Sequence, residues 1–174
     1  TILGCGFGMG VDNFIATCAN YGKEVDRDTA DLAVSTFRST HPQIPKLWRS
    51  SERAAKQALI EPGSWIAAGP KLHFASMTLK PNNVKFLLMR LPSGRIIYYP
   101  SPKLRKIKNW GKMREEIFFY GPVPHKEREW GYISTYGAKL VENATQGIAA
   151  DVMANGLVKA HDEGFQVVGL IHDE

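Results

Sequence analysis

The sequence predicts an α/β chain of the α+β kind: a helical first third, an antiparallel β-rich middle and a long helix near the end. Three observations carry this expectation. Apolar residues recur at helical spacing within residues 1–62, alternate as strands do within 64–100, and form one long stripe in 135–163. The chain divides accordingly into a helical segment 1–62, a β-rich segment 63–134 with a hairpin and a basic loop, and a helix-plus-strand segment 135–174.

In the first segment Phe14, Ile15 and Cys18 share a face that ends at Tyr21-Gly22, where glycine suits a helix C-terminus. Asp28 or Thr29 caps the next helix, with Ala30, Leu32, Ala33 and Phe37 inside it. Pro42 forces His41 out of helical geometry. A third helix runs from Leu47-Trp48 to Leu59-Ile60, presents Arg49, Arg53 and Lys56 on its polar face, and stops at Pro62-Gly63. In the middle segment Leu72, Phe74, Ser76 and Thr78 alternate. Val84 to Leu91 and Arg95 to Tyr99 flank the turn Pro92-Ser93-Gly94, so they read as a hairpin. Lys103, Arg105, Lys106, Lys108, Lys112 and Arg114 crowd around Trp110; they read as a solvated loop or as a contact to a nucleic-acid backbone. Glu116 to Tyr120 reads as a short strand, and Gly121-Pro122-Val123-Pro124 breaks the chain. In the last segment Val141, Ala144, Ile148 and Val152 line the apolar stripe, while Lys139, Asn143 and Gln146 share another face. Gly164 closes that helix, and Phe165 to Ile171 reads as a buried strand delivering His172-Asp173-Glu174.

Composition narrows the function. The 174 residues are 44% apolar and 22% charged, which excludes a disordered chain. Apolar runs such as Phe86-Leu87-Leu88-Met89 are far shorter than the ~20 residues a spanning helix needs, so no membrane partner is expected. The net charge of +5 favours an acidic partner. Cys5 and Cys18 make neither a disulfide framework nor a zinc set. Nothing in the sequence indicates an oligomer. The chain opens at Thr1 inside an apolar, glycine-rich run and stops directly after another apolar run, which reads as a piece of a larger chain.

Few residues carry chemistry on their own. Gly4, Gly6, Gly8 and Gly10 fit neither phosphate-loop template, and such spacing reads as a turn or a close backbone approach. His41, His73, His125 and His161 have no metal-ligand spacing. Asn143-Ala144-Thr145 matches a glycosylation sequon but falls within a helix. His172-Asp173-Glu174 is the sharpest feature. Its two adjacent carboxylates are hard oxygen ligands suited to Mg²⁺ at phosphate chemistry, although a strand running into a polar turn would look the same.

Taken together, four stretches resemble a family A DNA polymerase of the phage-type branch. Leu3-Gly4-Cys5-Gly6-Phe7-Gly8 is similar to the end of that family's fingers helix. Leu91-Pro92-Ser93-Gly94-Arg95, followed by Tyr98-Tyr99-Pro100, is similar to its Gly-Arg hairpin. Gln146-Gly147-Ile148-Ala149-Ala150-Asp151 matches its Gln-Gly-x-Ala-Ala-Asp helix, and His172-Asp173-Glu174 its palm motif C. Trp130-Gly131 and Thr135 to Asn143 resemble the phage branch. The order and spacing of the motifs along the chain make the resemblance specific.

The resemblance implies helical fingers over antiparallel palm strands, and template-directed addition of deoxynucleotides to a primer in the cytoplasm of a host cell. Its partners would be primer–template DNA and deoxynucleoside triphosphates, its cofactor Mg²⁺ in a two-metal site. Asp173 would be the metal ligand, with Glu174 beside it in the catalytic centre. Phe7 would lie under the nascent pair, and Leu3 would face the incoming nucleotide. Gln146 would touch the minor groove, where acceptors are nearly the same for every pair. Asn143, His172 and Arg95 would join it along the DNA. The sequence departs from the family at several points, and residues 101–134, longer than the matching stretch of bacterial relatives, inherit no role from it. Leu3 replaces an aromatic residue, Glu142 stands where relatives carry Asn, and the triphosphate-gripping Lys and second metal-binding Asp would fall before Thr1. These 174 residues alone are therefore expected not to extend a primer. Two rivals compete: a non-enzymatic basic nucleic-acid-binding module, and a metal-dependent phosphohydrolase built on His172-Asp173, for which His161 is the nearest other histidine.

Overall fold

Helices begin where side chains or prolines satisfy the first turn. The computed structural model describes residues 2–109, 112–124, 126 and 128–169. Its first helices are α1 (Ile2–Gly6), α2 (Val11–Asn20), α3 (Arg27–Thr40) and α4 (Gln43–Ile60). Gly22 adopts φ +68, and the amides of Gly22 and Lys23 return to the carbonyls of Ala19 and Cys18, closing α2 with a left-handed cap. Asp26, not Asp28 or Thr29, caps α3: its carboxylate accepts from the Thr29 amide at 2.8 Å and the Thr29 hydroxyl at 2.7 Å. Those bonds hold the Asp26 carboxyl below its ordinary pKa. α4 starts at Gln43, earlier than the apolar period suggests, because Pro42 and Pro45 lie in its cap and first turn, where proline's missing N–H costs no helical bond. Cys5, Phe14, Ala30, Val34 and Phe37 pack α1, α2 and α3 into a small core.

Two antiparallel sheets follow. The first, in order β1-β2-β3-β4, consists of β1 (Ile66–Ala67), β2 (His73–Leu79), β3 (Val84–Arg90) and β4 (Ile96–Pro100). Gly94 at φ +89 donates to the Leu91 carbonyl, and Leu91 donates to Arg95, closing the expected hairpin. The second sheet, in order β5-β6-β7, consists of β5 (Lys103–Asn109), β6 (Lys112–Pro122) and β7 (Trp130–Thr135). It corrects the reading of 103–114 as a loop and of Glu116–Tyr120 as a short strand. The register sets Arg105 opposite Glu116 and Lys106 opposite Glu115, so opposite charges support the ladder. Leu104, Ile117 and Phe119 turn one face inward, and the cations remain at the surface. Trp110 lies outside the described residues.

The long helix α5 (Gly137–Asp162) closes the described structure. Its first half is buried: Leu140 and Ala144 join Ala54, Ala55 and Ala58 of α4, Phe74, Leu87 and Met89 of the first sheet, and Ile117 of the second in one core. The apolar stripe does not stay buried to its end, since Val152 is exposed. Gly164 ends α5 at φ +87. Residues 165–169 are not the expected buried strand. They pair with neither sheet, and Val168 is 99% exposed. Apolar composition makes a strand only where an edge supplies hydrogen-bond partners, whereas here the Phe165 amide returns to the Ala160 carbonyl of α5. Leu170 to Glu174 lie outside the described residues. Within the described residues, no helix is long and apolar enough to cross a membrane.

Candidate nucleotide and nucleic-acid site

The glycine-rich start builds a cleft. Gly8 takes φ +86, and a Cβ there would stand 2.6 Å from the Ala138 Cβ, so the turn after α1 can press against the first turn of α5 only as glycine. Arg38 of α3 donates to the Met9 carbonyl at 3.1 Å and holds the turn from the other side. The close approach encloses about 570 Å³ between α1, α2 and α5. Leu3 and Phe7, expected at the nucleotide, both line it, together with Tyr21, Lys23, Tyr136 and Glu142. Leu3 is 74% exposed, so it is not packed in a helix core. Rings and hydroxyl and amide groups from Tyr21, Tyr136, Thr17 and Asn13 line this cleft, and its two charges are the Lys23 ammonium and the Glu142 carboxylate. Sequence reasoning passed over Tyr21, Lys23 and Tyr136 because no motif spacing links them to residues 3–8.

The position of α5 depends on its first residue. A Cβ on Gly137 would stand 2.0 Å from the Trp48 carbonyl oxygen. Glu52 of α4 accepts the Gly137 amide at 3.2 Å, in place of a cap that Tyr136 does not provide, and also pairs with Lys56 at 2.5 Å. Six residues further along α5, the Asn143 side chain donates to the Tyr99 hydroxyl at 2.9 Å. Burial pushes the Tyr99 phenol up to about 12, the Asn143 bond offsetting only part of the shift.

Two motif stretches far apart in the chain meet beyond that point. Gly147 lies against the hairpin, where a Cβ would come 2.7 Å from Leu91 Cδ1. Arg95 donates through Nη2 to the Gly147 carbonyl at 2.5 Å, and its Nε faces the Asp151 carboxylate at 2.6 Å. Ser93 donates to the other Asp151 oxygen at 2.6 Å. Gly147 and Asp151, one helical turn apart, thus clamp the hairpin turn to α5. Spacing does not show that Asp151 meets Ser93 and Arg95, because they lie more than fifty residues away in the chain. Arg95 is held by this clamp and Asn143 by Tyr99, while Gln146 is exposed beside Gly147. His172, Asp173 and Glu174 lie outside the described residues. Among the described residues, no three His, Cys, Asp or Glu side chains converge as a metal site.

Comparison with known proteins finds a DNA polymerase among the proteins this chain resembles. Over 141 residues the chain is 33% identical to a DNA polymerase of Bacillus phage SP02, an alignment that covers 81% of this chain and 20% of that protein. The chain therefore spans about a fifth of the length of this relative. No protein-family model and no solved structure matches the chain.

Proposed function

We propose that the chain is part of a phage-type family A DNA polymerase and contributes its nucleotide cleft and part of its primer–template surface. In this reading the cleft takes the base and sugar of an incoming deoxynucleoside triphosphate. Phe7 lies under the nascent pair, Leu3 lies beside the nucleotide, and Lys23 faces its negative charge. Gln146 presents its amide to minor-groove acceptors, which report pair geometry without reading sequence. The hairpin clamp through Arg95 and Asp151 ties the turn of α5 that follows Gln146 to the β3–β4 hairpin. Asp173, with Glu174 beside it, would hold Mg²⁺, which when bound lowers the pKa of a primer hydroxyl and steadies pyrophosphate.

The observation that most supports the reading is the convergence of Leu91–Arg95 with Gly147–Asp151, together with the alignment to a phage DNA polymerase across 81% of the chain. The test is primer extension by the longer polymerase carrying this sequence. Asp173→Asn keeps the side-chain shape and removes the charge. Extension in Mg²⁺ is expected to fall by orders of magnitude, while primer–template affinity stays within about twofold because phosphate contacts dominate it. A variant that extends at near-parental rate overturns the metal-ligand assignment.

A further inference from the structure

The outward face of the second sheet is not used by the cleft. Side chains alternate along strands, so Lys103 and Arg105 of β5, Phe118 and Tyr120 of β6, and Trp130 and Tyr132 of β7 share that face. Its two ends differ. At one end the Lys103 ammonium lies 4.1 Å from the Tyr132 ring, and the Arg105 guanidinium lies 5.0 Å from Tyr132 and 5.2 Å from Phe118. These contacts seat two solvent-exposed cations beside the rings. At the other end Tyr120 and Trp130 lie 6.1 Å apart with ring planes 32° from parallel, and they remain 42% and 58% exposed. The one carboxylate on this face of the paired strands β5 and β6 is Glu116, opposite Arg105; Arg114 adds a third cation nearby.

We propose that this face binds single-stranded DNA, with bases stacked on Trp130 and Tyr120 and phosphates drawn to Lys103 and Arg105. A charged patch alone would accept any polyanion, and an apolar patch alone would suit a protein. Cations fixed beside open aromatic rings match the two parts of a nucleotide, a phosphate and a π-face, and a single strand exposes both. A duplex hides its base faces and offers phosphates and groove edges, on neither of which a ring can stack. The choice of DNA over RNA rests on the polymerase reading; the stacking face does not. The surface lies outside the cleft of Leu3 and Phe7, so it would hold template or displaced strand away from the nucleotide.

Fluorescence anisotropy of a labelled oligo-dT with this chain, without metal or nucleotide, tests the proposal. Trp130→Ala is expected to weaken binding about tenfold, the loss of one stacked base. Trp130→Phe should restore most of the affinity and lower the quenching of tryptophan emission that the proposal expects on binding. Arg105→Gln should lower the slope of log affinity against log salt by about 0.7, the value for one phosphate on a single strand. Circular dichroism confirms that these surface variants fold. Unchanged affinity in Trp130→Ala and Tyr120→Ala overturns the proposal. So does equal affinity for a blunt duplex, or equal displacement of the oligonucleotide by polyglutamate at matched charge. Because no extension is measured, failure here leaves the Asp173→Asn test intact, and failure of that test leaves the stacking face intact.

Discussion

Gly137→Ala should be among the most damaging single changes in this chain, although it adds only one methyl group. The new Cβ would meet the Trp48 carbonyl oxygen at 2.0 Å, its carbon at 2.7 Å and Glu52 Cβ at 3.2 Å. Backbone atoms cannot rotate aside as a side chain does, so α4 and α5 would have to part by more than an ångström. Overpacking costs about 1–3 kcal/mol where neighbours can yield, and here the upper end applies. Parting the helices also breaks the bond from the Gly137 amide to the Glu52 carboxylate, a charged acceptor worth about 1.5 kcal/mol. Alanine's better helix propensity returns about 0.5–1 kcal/mol. The net loss is about 3–4 kcal/mol, or about 6–16 °C in Tm for a chain of this size. Far-UV circular dichroism during heating measures it. Gly156→Ala is the control: it lies in the same helix with nothing near its Cβ position, so it should leave stability equal or about 0.5–1 kcal/mol higher. If Gly137→Ala melts within about 2 °C of the parent, the close approach of α4 and α5 is wrong.

Two further outcomes follow from the cleft and from the core beneath it. Tyr99 has a folded pKa of about 12 against 10.0 for the free side chain, so its contribution to stability is present below about pH 10 and is lost as pH rises through 12. Tyr99→Phe should therefore flatten the fall in stability between about pH 10 and 12, read by urea denaturation at each pH; an unchanged profile refutes the burial argument. Leu3→Phe in the longer polymerase should change incorporation constants for deoxy- and dideoxynucleotides, because an added ring supplies stacking worth about 1–3 kcal/mol. Leu3 is exposed, so DNA affinity and Tm should stay as they are. Unchanged constants for both nucleotides would remove Leu3 from the nucleotide side, and a drop in all activities with lower Tm would mean core overpacking instead.

Features set by short-range physics were legible in the sequence. Gly22 and Gly164 end helices through positive φ, and Pro92-Ser93-Gly94 closes its hairpin, because caps and turns depend on residues within a few positions. Features set by partners were not. The run 165–169 has strand-like residues, yet a strand also needs an edge to pair with, and sequence does not show whether one is near. Leu3 and Phe7 were legible as a pair through one motif, whereas Tyr21, Lys23 and Tyr136 reach the same cleft from α2, the loop after it and the residue before α5.

The basic stretch shows how composition and arrangement separate. Counting charges finds six cations in residues 103–114 and suggests a solvated loop. Register changes the meaning of the same residues. Glu115 and Glu116 fall opposite Lys106 and Arg105, which lets a cation-rich segment pair as a strand instead of repelling itself. Once it is a strand, its period of two puts Lys103 and Arg105 on one side, beside the rings of Phe118 and Tyr132. A loop with this composition would offer only mobile charge, which draws any polyanion equally. On the proposed reading, charges that share one face with the open rings of Tyr120 and Trp130 would separate a single strand from a duplex, a distinction that net charge alone does not make.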